Sequence, residues 1–176
     1  MKQKHLIKED TGSHDYGCAM IYFEFPGISA FQSVIDEEDV YHKEGDRSFG
    51  LETEPHTTLL YGFHSDVDPN EVMEIMEKYD YGHCRLHNVS IFKNPEYDVL
   101  KFDVESSVLH EVNQELKKFP HTTSFPIYHP HMTIAYLKPG MGEKYIKNLN
   151  WAKFMITPNK LVYSTPNGKK YTKEIW

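Results

Sequence analysis

The chain has few cysteines, no long apolar stretch and no excess of positive charge, and each absence excludes a class of protein. Only Cys18 and Cys84 are present among 176 residues, too few for a disulfide framework and without a zinc-binding spacing. The sequence contains no run of about 18 apolar residues, the length that a membrane-spanning helix needs. The net charge is −7, which argues against a large, non-specific surface for long nucleic acids, because such surfaces are usually cationic. A small nucleotide held in a pocket by a few donors is compatible with this charge.

The amino terminus resembles no targeting sequence. Residues 1–5 lead into charged residues rather than an apolar stretch, so we expect no signal peptide. We expect two reduced thiols and a cytoplasmic location.

The order of strand and helix patterns predicts a single α+β domain over residues 1–176. Asp68 and Pro69 form a helix start, since Asp68 can cap and Pro69 suits the first helical position. A second amphipathic helix is predicted from 107 to 119. Residues 28–51 are mostly polar and acidic, and they predict a long surface loop with one short helix. Strands are predicted at 17–25, 56–62, 84–92, 98–104, 132–137 and 151–157, followed by a hairpin of 161–165 and 171–176.

One short repeat relates two of these strands. Residues 55–61 read PHTTLLY and residues 130–136 read PHMTIAY, so proline, histidine, threonine and tyrosine recur at the same places. The second histidine follows the first by 75 residues. Because each copy is a strand between loops, with helices or further strands after it, the repeat is typical of a duplicated, two-lobed fold.

Alternation along the two strands predicts which side chains share a face. His56 and Thr58 lie on one face of the first strand, and His131 and Thr133 on one face of the second. The opposite faces are large and mostly apolar. We therefore predict that the histidine–threonine pairs line a cleft. The same alternation predicts core positions for Thr57, Leu59, Tyr61, Met132, Ile134 and Tyr136.

Two histidines on facing strands are the parts that phosphodiester cleavage needs. One histidine can act as the base for the attacking oxygen and the other as the acid for the leaving oxygen. Two threonine hydroxyls can donate to the charged phosphoryl oxygens. A single His-x-Thr is common on a half-exposed strand, whereas a matched pair in similar apolar frames indicates chemistry.

At these residues the chain resembles the 2H phosphoesterase superfamily, which is defined by two His-x-Thr-x motifs with an apolar last position. The motifs stand here as HTTL at 56–59 and HMTI at 131–134, without departure from the pattern. The resemblance implies a bilobal fold of two antiparallel sheets, flanked by helices, with a central cleft. It also implies catalysis by the two histidines and two threonines without a metal or another cofactor.

Within that superfamily, the segments at 54–62 and 128–137 look most like the phage anti-CBASS nucleases, which destroy bacterial cyclic-oligonucleotide alarm signals. The resemblance implies hydrolysis of cyclic di- or trinucleotides such as cyclic GMP-AMP, with no membrane and no long nucleic acid as partner. Bases also need flat surfaces on which to stack. Tyr16, in a polar loop, and Trp176, the last residue, are the substrate-binding candidates.

Alternatives from the same and other classes stay open at this point. An RNA-processing cyclic phosphodiesterase or a 2′,5′-oligoadenylate phosphodiesterase would use the same four residues. A non-catalytic module that binds or sequesters nucleotides would need no histidine pair, and the intact motifs argue against it. His129 and His131 could suggest a zinc site, but no ligand spacing supports one.

Overall fold

The computed structural model describes residues 15–149 and 153–175. Within these residues the chain forms eight strands and four α-helices. In chain order they are β1 (Gly17–Phe23), α1 (Ile28–Gln32), β2 (His56–Phe63), α2 (Pro69–Glu77), β3 (Cys84–Lys93), β4 (Asp98–Glu105), α3 (Ser107–Leu116), β5 (His131–Leu137), α4 (Glu143–Leu149), β6 (Phe154–Ile156), β7 (Pro158–Ser164) and β8 (Lys170–Glu174).

The strands form two antiparallel sheets of four strands each. The first has the order β2-β1-β7-β8 and the second β5-β4-β3-β6. Helices α2 and α3 contact the first sheet through β7 and β2, whereas α1 and α4 contact the second through β5 and β3. The predicted α+β class and the two antiparallel sheets are therefore confirmed. The two strands that carry the repeat, β2 and β5, each end a sheet, and they contact each other.

Most elements follow the local signals in the sequence. Asp68 caps α2 by accepting from the Asn70 amide at 2.9 Å, and Pro69 is the first helical residue. Helix α3 ends at Leu116 rather than at 119, and α4 was not predicted. Of the predicted strand at 151–157, residues 154–156 form β6, and 151–152 lie outside the described residues. No helix in the described ranges is long and apolar enough to cross a membrane.

The outer edge of each motif strand is paired with a connecting segment from the other half of the chain. In the first sheet, the Thr122 amide, between α3 and β5, donates to the Gly62 carbonyl at 2.9 Å. In the second sheet, the Tyr136 amide donates to the carbonyl of Gly50, between α1 and β2, also at 2.9 Å. Both edges are thus covered, which fixes the connecting segments against the motif strands.

Gly62 is the position at which this pairing requires a glycine. Its φ is +120°, and a Cβ would lie 2.0 Å from the carbonyl oxygen of Thr122. Gly140 also has a positive φ, +82°, but nothing lies within 4 Å of its would-be Cβ. We expect Gly62→Ala to lower the free energy of unfolding by about 3 kcal/mol or more, because strain and overlap add. Gly140→Ala should cost only about 1–2 kcal/mol, from strain alone.

Urea unfolding of both variants beside the parent protein measures this difference. Equal losses in the two variants would contradict the close approach of the 120–122 segment to β2.

Candidate active site

A β-bulge at the same place in both motifs decides which side chains share the face of the histidines. In β2 the register against β1 shifts after Thr58, so that Leu59 is an extra residue. In β5 the register against β4 shifts after Thr133, so that Ile134 is the extra residue. A bulge reverses the alternation of side chains beyond it. The repeat therefore extends from residue type to backbone geometry.

The predicted core position is therefore wrong for Tyr61, whereas the predicted burial of Tyr136 is confirmed but on the opposite face of its strand. Beyond the bulge, Tyr61 is paired with Cys18 and lies on the same face as Thr58, where it is half-buried. Tyr136 is buried, 2% exposed, but in a separate aromatic cluster on the face of Thr133. Both tyrosines thus border the threonines rather than backing them.

The two motif histidines are held in the same way. The Nδ1 atom of His56 lies 2.8 Å from the carbonyl oxygen of Glu54, and that of His131 lies 3.0 Å from the carbonyl oxygen of His129. A carbonyl oxygen can only accept, so Nδ1 must carry the proton in both rings. In the neutral form each histidine therefore leaves Nε2 free to accept a proton. His121 makes the same contact with the residue two before it.

Each histidine also contacts an aromatic ring, and a lysine ammonium group lies over each of these two rings. His56 stacks on Tyr22 with ring centroids 5.2 Å apart, and His131 meets Phe92 edge to face at 4.9 Å. The Nζ atom of Lys160 lies 4.7 Å from the Tyr22 ring centroid, and that of Lys101 lies 4.2 Å from the Phe92 centroid. Ammonium groups over aromatic faces are attracted electrostatically. A lysine therefore lies over the aromatic ring that each histidine contacts.

Lys101 is a functional candidate that sequence reasoning missed. It is only 5% exposed and donates to Ser90 Oγ at 2.6 Å and to Asp103 Oδ1 at 2.7 Å. Along β4, Lys101 is paired with Thr133 and Asp103 with His131, so both charges share the face of the motif. A lysine and an aspartate two residues apart, among the apolar residues in the middle of a strand, were the signal that could have found them.

The surroundings of His131 favour its neutral form. The pKa of His131 is lowered to about 4, chiefly by burial and also by the charges of Lys101 and His56. The His129 carbonyl and the Asp103 carboxylate act in the opposite direction. His56 therefore interacts electrostatically with His131.

This pKa gives stability a defined pH dependence. An unfolded histidine binds a proton near its ordinary value of 6.5, whereas folded His131 does so only near 4. The contribution of His131 to the free energy of unfolding is complete above about pH 6.5. It is lost as the pH falls from there towards pH 4, because in that range the unfolded state binds more protons than the folded state. We expect His131→Gln to lose less unfolding free energy than the parent between about pH 7 and pH 4.5. Urea unfolding at several pH values tests this, and equal losses would contradict it.

A cavity of about 380 Å³ adjoins the motifs on the side of β2. It brings together Thr58, His131 and Tyr16, three of the residues singled out from the sequence. His56 and Thr133 do not line it and are 7% and 8% exposed. Trp176 lies outside the described residues. The remaining walls come from β2, β3, α3 and the segment before β5: Leu59, Leu60, Tyr61, Phe92, Asn113, Lys117, Thr122, Thr123, Ser124, Phe125, Ile127, Tyr128 and His129.

Tyr128 fixes the outer wall of this cavity to the first motif. Its hydroxyl donates to the Thr58 carbonyl at 2.6 Å, and its ring meets His110 edge to face at 5.3 Å. Tyr16 packs edge-on against Tyr61, with centroids 5.9 Å apart. Aromatic faces therefore border the cavity beside a histidine and a threonine.

In the part of the chain that the structure describes, no three His, Cys, Asp or Glu side chains are grouped so that they could hold a metal ion. No family model matches the chain, and no curated protein matches it.

Proposed function

We propose that this chain is a phosphodiesterase of the 2H type that cleaves cyclic oligonucleotides by paired histidine acid–base catalysis. The observation that carries the proposal is the matched geometry of the two motifs. Each histidine is held at Nδ1 by the carbonyl two residues before it and leaves Nε2 free, and each has a threonine on the same face. The two strands end different sheets and contact each other. This arrangement supports a two-lobed enzyme with a cleft between the sheets.

The two histidines would have different roles. Burial and the Lys101 ammonium favour the neutral form of His131, which suits a general base. In cleavage of a 3′–5′ linkage, Nε2 of His131 would remove the 2′-hydroxyl proton, and that oxygen would attack phosphorus. The bond to the 5′-oxygen would break as that oxygen takes a proton from His56. A 2′,3′-cyclic phosphate is the first product, and water can then open it to a monoester.

Threonine hydroxyls and lysine charges would stabilise the phosphoryl oxygens. Thr58 Oγ1 is buried and has no hydrogen-bond partner among the described residues, so it can donate to a ligand without breaking an existing bond. Lys101 lies beside Thr133 on the second sheet. Donors placed in advance stabilise the charge that develops in the transition state. These groups supply the positive potential that a metal ion would otherwise provide.

The cavity supports a nucleotide as the substrate. It lies beside Thr58 and His131, and its aromatic walls can stack on a base. A cyclic di- or trinucleotide presents a phosphodiester with a base on either side of it. Destruction of such a signal would counter bacterial CBASS immunity and would take place in the host cytoplasm.

The test is a product assay on a substrate panel, run with and without EDTA. The panel contains cyclic GMP-AMP, a cyclic trinucleotide, a linear 2′,5′-oligoadenylate and a 2′,3′-cyclic mononucleotide. We expect cleavage of the cyclic oligonucleotides at an unchanged rate in EDTA, because the histidines, threonines and lysines supply every role of a metal. A His131→Ala preparation controls for contaminating nucleases.

Complete loss in EDTA, restored by zinc or magnesium, would contradict the mechanism. Faster turnover of the linear oligoadenylate or of the cyclic mononucleotide would assign the chain to the RNA-processing or 2′,5′ class. Tight binding of the panel without turnover would assign it to a sequestering module.

A further inference from the structure

Asn113 is a buried polar residue that the acid–base mechanism does not use. It lies on α3, is 2% exposed and lines the cavity beside the first motif. Its Nδ2 donates to the Leu59 carbonyl at 2.7 Å, and Leu59 is the extra residue of the β2 bulge. Because a carbonyl can only accept, this bond fixes which end of the amide is nitrogen. Oδ1 is therefore a defined acceptor.

This acceptor has no hydrogen-bond partner among the described residues. Buried polar atoms in proteins are almost always paired, and an unpaired acceptor destabilises the fold. Thr58 Oγ1 is the second such buried atom, with the buried Cys18 thiol as a weak polar neighbour. Asn113 and Thr58 both line this cavity, and each carries a buried polar atom without a partner among the described residues, which favours a ligand whose polar groups reach these atoms.

The walls of the cavity define the kind of ligand. Tyr16, Tyr61 and Tyr128 provide flat surfaces, and Phe125 is 48% exposed in the outer wall. Such walls suit a planar heterocycle, and a lone amide oxygen can pair only with an N–H or O–H donor. Lys117, the half-buried residue directly after α3, also lines the cavity, one helical turn beyond Asn113. Its positive charge suits a phosphate attached to that heterocycle.

We infer that this cavity is a nucleobase subsite in which Asn113 Oδ1 accepts a hydrogen bond from the amino group of the base. The inference rests on the proposed function and deepens it, since it places one base of the substrate beside the scissile phosphate. Asn113 then discriminates between bases by their donors rather than by their size. A base without a donor at that edge leaves Oδ1 buried and unpaired.

The experiment compares two mononucleotides that differ only in that donor. Adenosine 5′-monophosphate carries the 6-amino group, and purine riboside 5′-monophosphate has hydrogen in its place. We expect calorimetry to show that the parent protein binds the adenosine nucleotide at least about tenfold more tightly. In Asn113→Leu the difference should fall to about twofold or less, because both bases then meet an apolar wall. Gln114→Leu, on the exposed side of the same helix, should retain the parent's discrimination.

Equal affinities for the two nucleotides in the parent protein, or binding of neither, would overturn the inference, and so would discrimination that survives Asn113→Leu. If Asn113→Leu does not fold, the comparison in the parent protein decides alone. Neither mononucleotide contains a phosphodiester, so the result is independent of cleavage. Discrimination without cleavage of the cyclic substrates would overturn only the proposed function, and cleavage without discrimination would overturn only the role of Asn113.

Discussion

Replacement of either His56 or His131 by alanine is expected to remove about a hundred- to ten-thousandfold of the cleavage rate, the range that general acid–base catalysis supplies. The double variant should be little slower than either single variant, because both residues act in the same transition state. Single-turnover cleavage of a cyclic dinucleotide at saturating enzyme measures the effect on the chemical step. Substrate binding should persist in the single variants, since stacking of the bases does not depend on proton transfer.

His121→Ala is the matched control for this experiment. The Nδ1 atom of His121 lies 2.7 Å from the Phe119 carbonyl, so it shares the backbone contact of the motif histidines but lies outside both motifs. Its replacement should change the rate by less than about threefold. A loss of less than about tenfold in His56→Ala or His131→Ala would show that the residue is neither the acid nor the base.

The two motif strands could be predicted because their signals are local. Alternation places His56 with Thr58 and His131 with Thr133, and neither relation depends on the rest of the fold. Helix α2 was equally accessible, since Asp68 and Pro69 carry the start signal in the chain itself. Helix α4 was not predicted, because seven residues between a glycine-rich turn and β6 give too short a pattern for periodicity.

The faces of the two tyrosines could not be predicted, because a bulge is a property of strand pairing. Leu59 and Ile134 become extra residues only when β1 and β4 align beside them, and the local sequence does not specify that register. Asn113 was hidden for a related reason. An asparagine on an amphipathic helix looks solvated until tertiary packing brings its amide against the bulge of β2.

Tertiary packing places Lys101 on the face of the second motif, although neither motif contains a lysine. Its side chain is buried between Ser90 and Asp103, with the Phe92 ring below the ammonium group. Burial of a charge is costly unless it is paired, and here the pairing also brings the charge to the face of His131. The lysine is therefore expected to act on the reaction in two ways, through the phosphoryl charge and through the protonation of the base.

Lys101→Met should accordingly reduce kcat/KM at neutral pH by about ten- to several-hundredfold, as when one donor to a developing oxyanion is removed. It should also move the acidic limb of the pH profile to higher pH. The ammonium lowers the pKa of His131, so its loss raises that pKa, and the Asp103 carboxylate, whose charge the lysine no longer balances, raises it further. The base is then protonated over a wider part of the acidic range. The pH dependence of kcat/KM for a cyclic dinucleotide measures both effects in one experiment.

Two controls separate this electrostatic role from a role in folding alone. Lys101→Arg keeps the charge and should keep the acidic limb in place even if its bulk lowers the rate. Lys153→Met removes one charge from an exposed position and should change neither kcat/KM nor the acidic limb of its pH profile. That result would exclude an effect of net charge alone. A slower Lys101→Met enzyme with an unmoved acidic limb would mean that Lys101 only holds Asp103 and the strand in place. In that case the neutral form of His131 would be maintained by burial without the lysine, and the phosphate would have to be neutralised by other groups of the site.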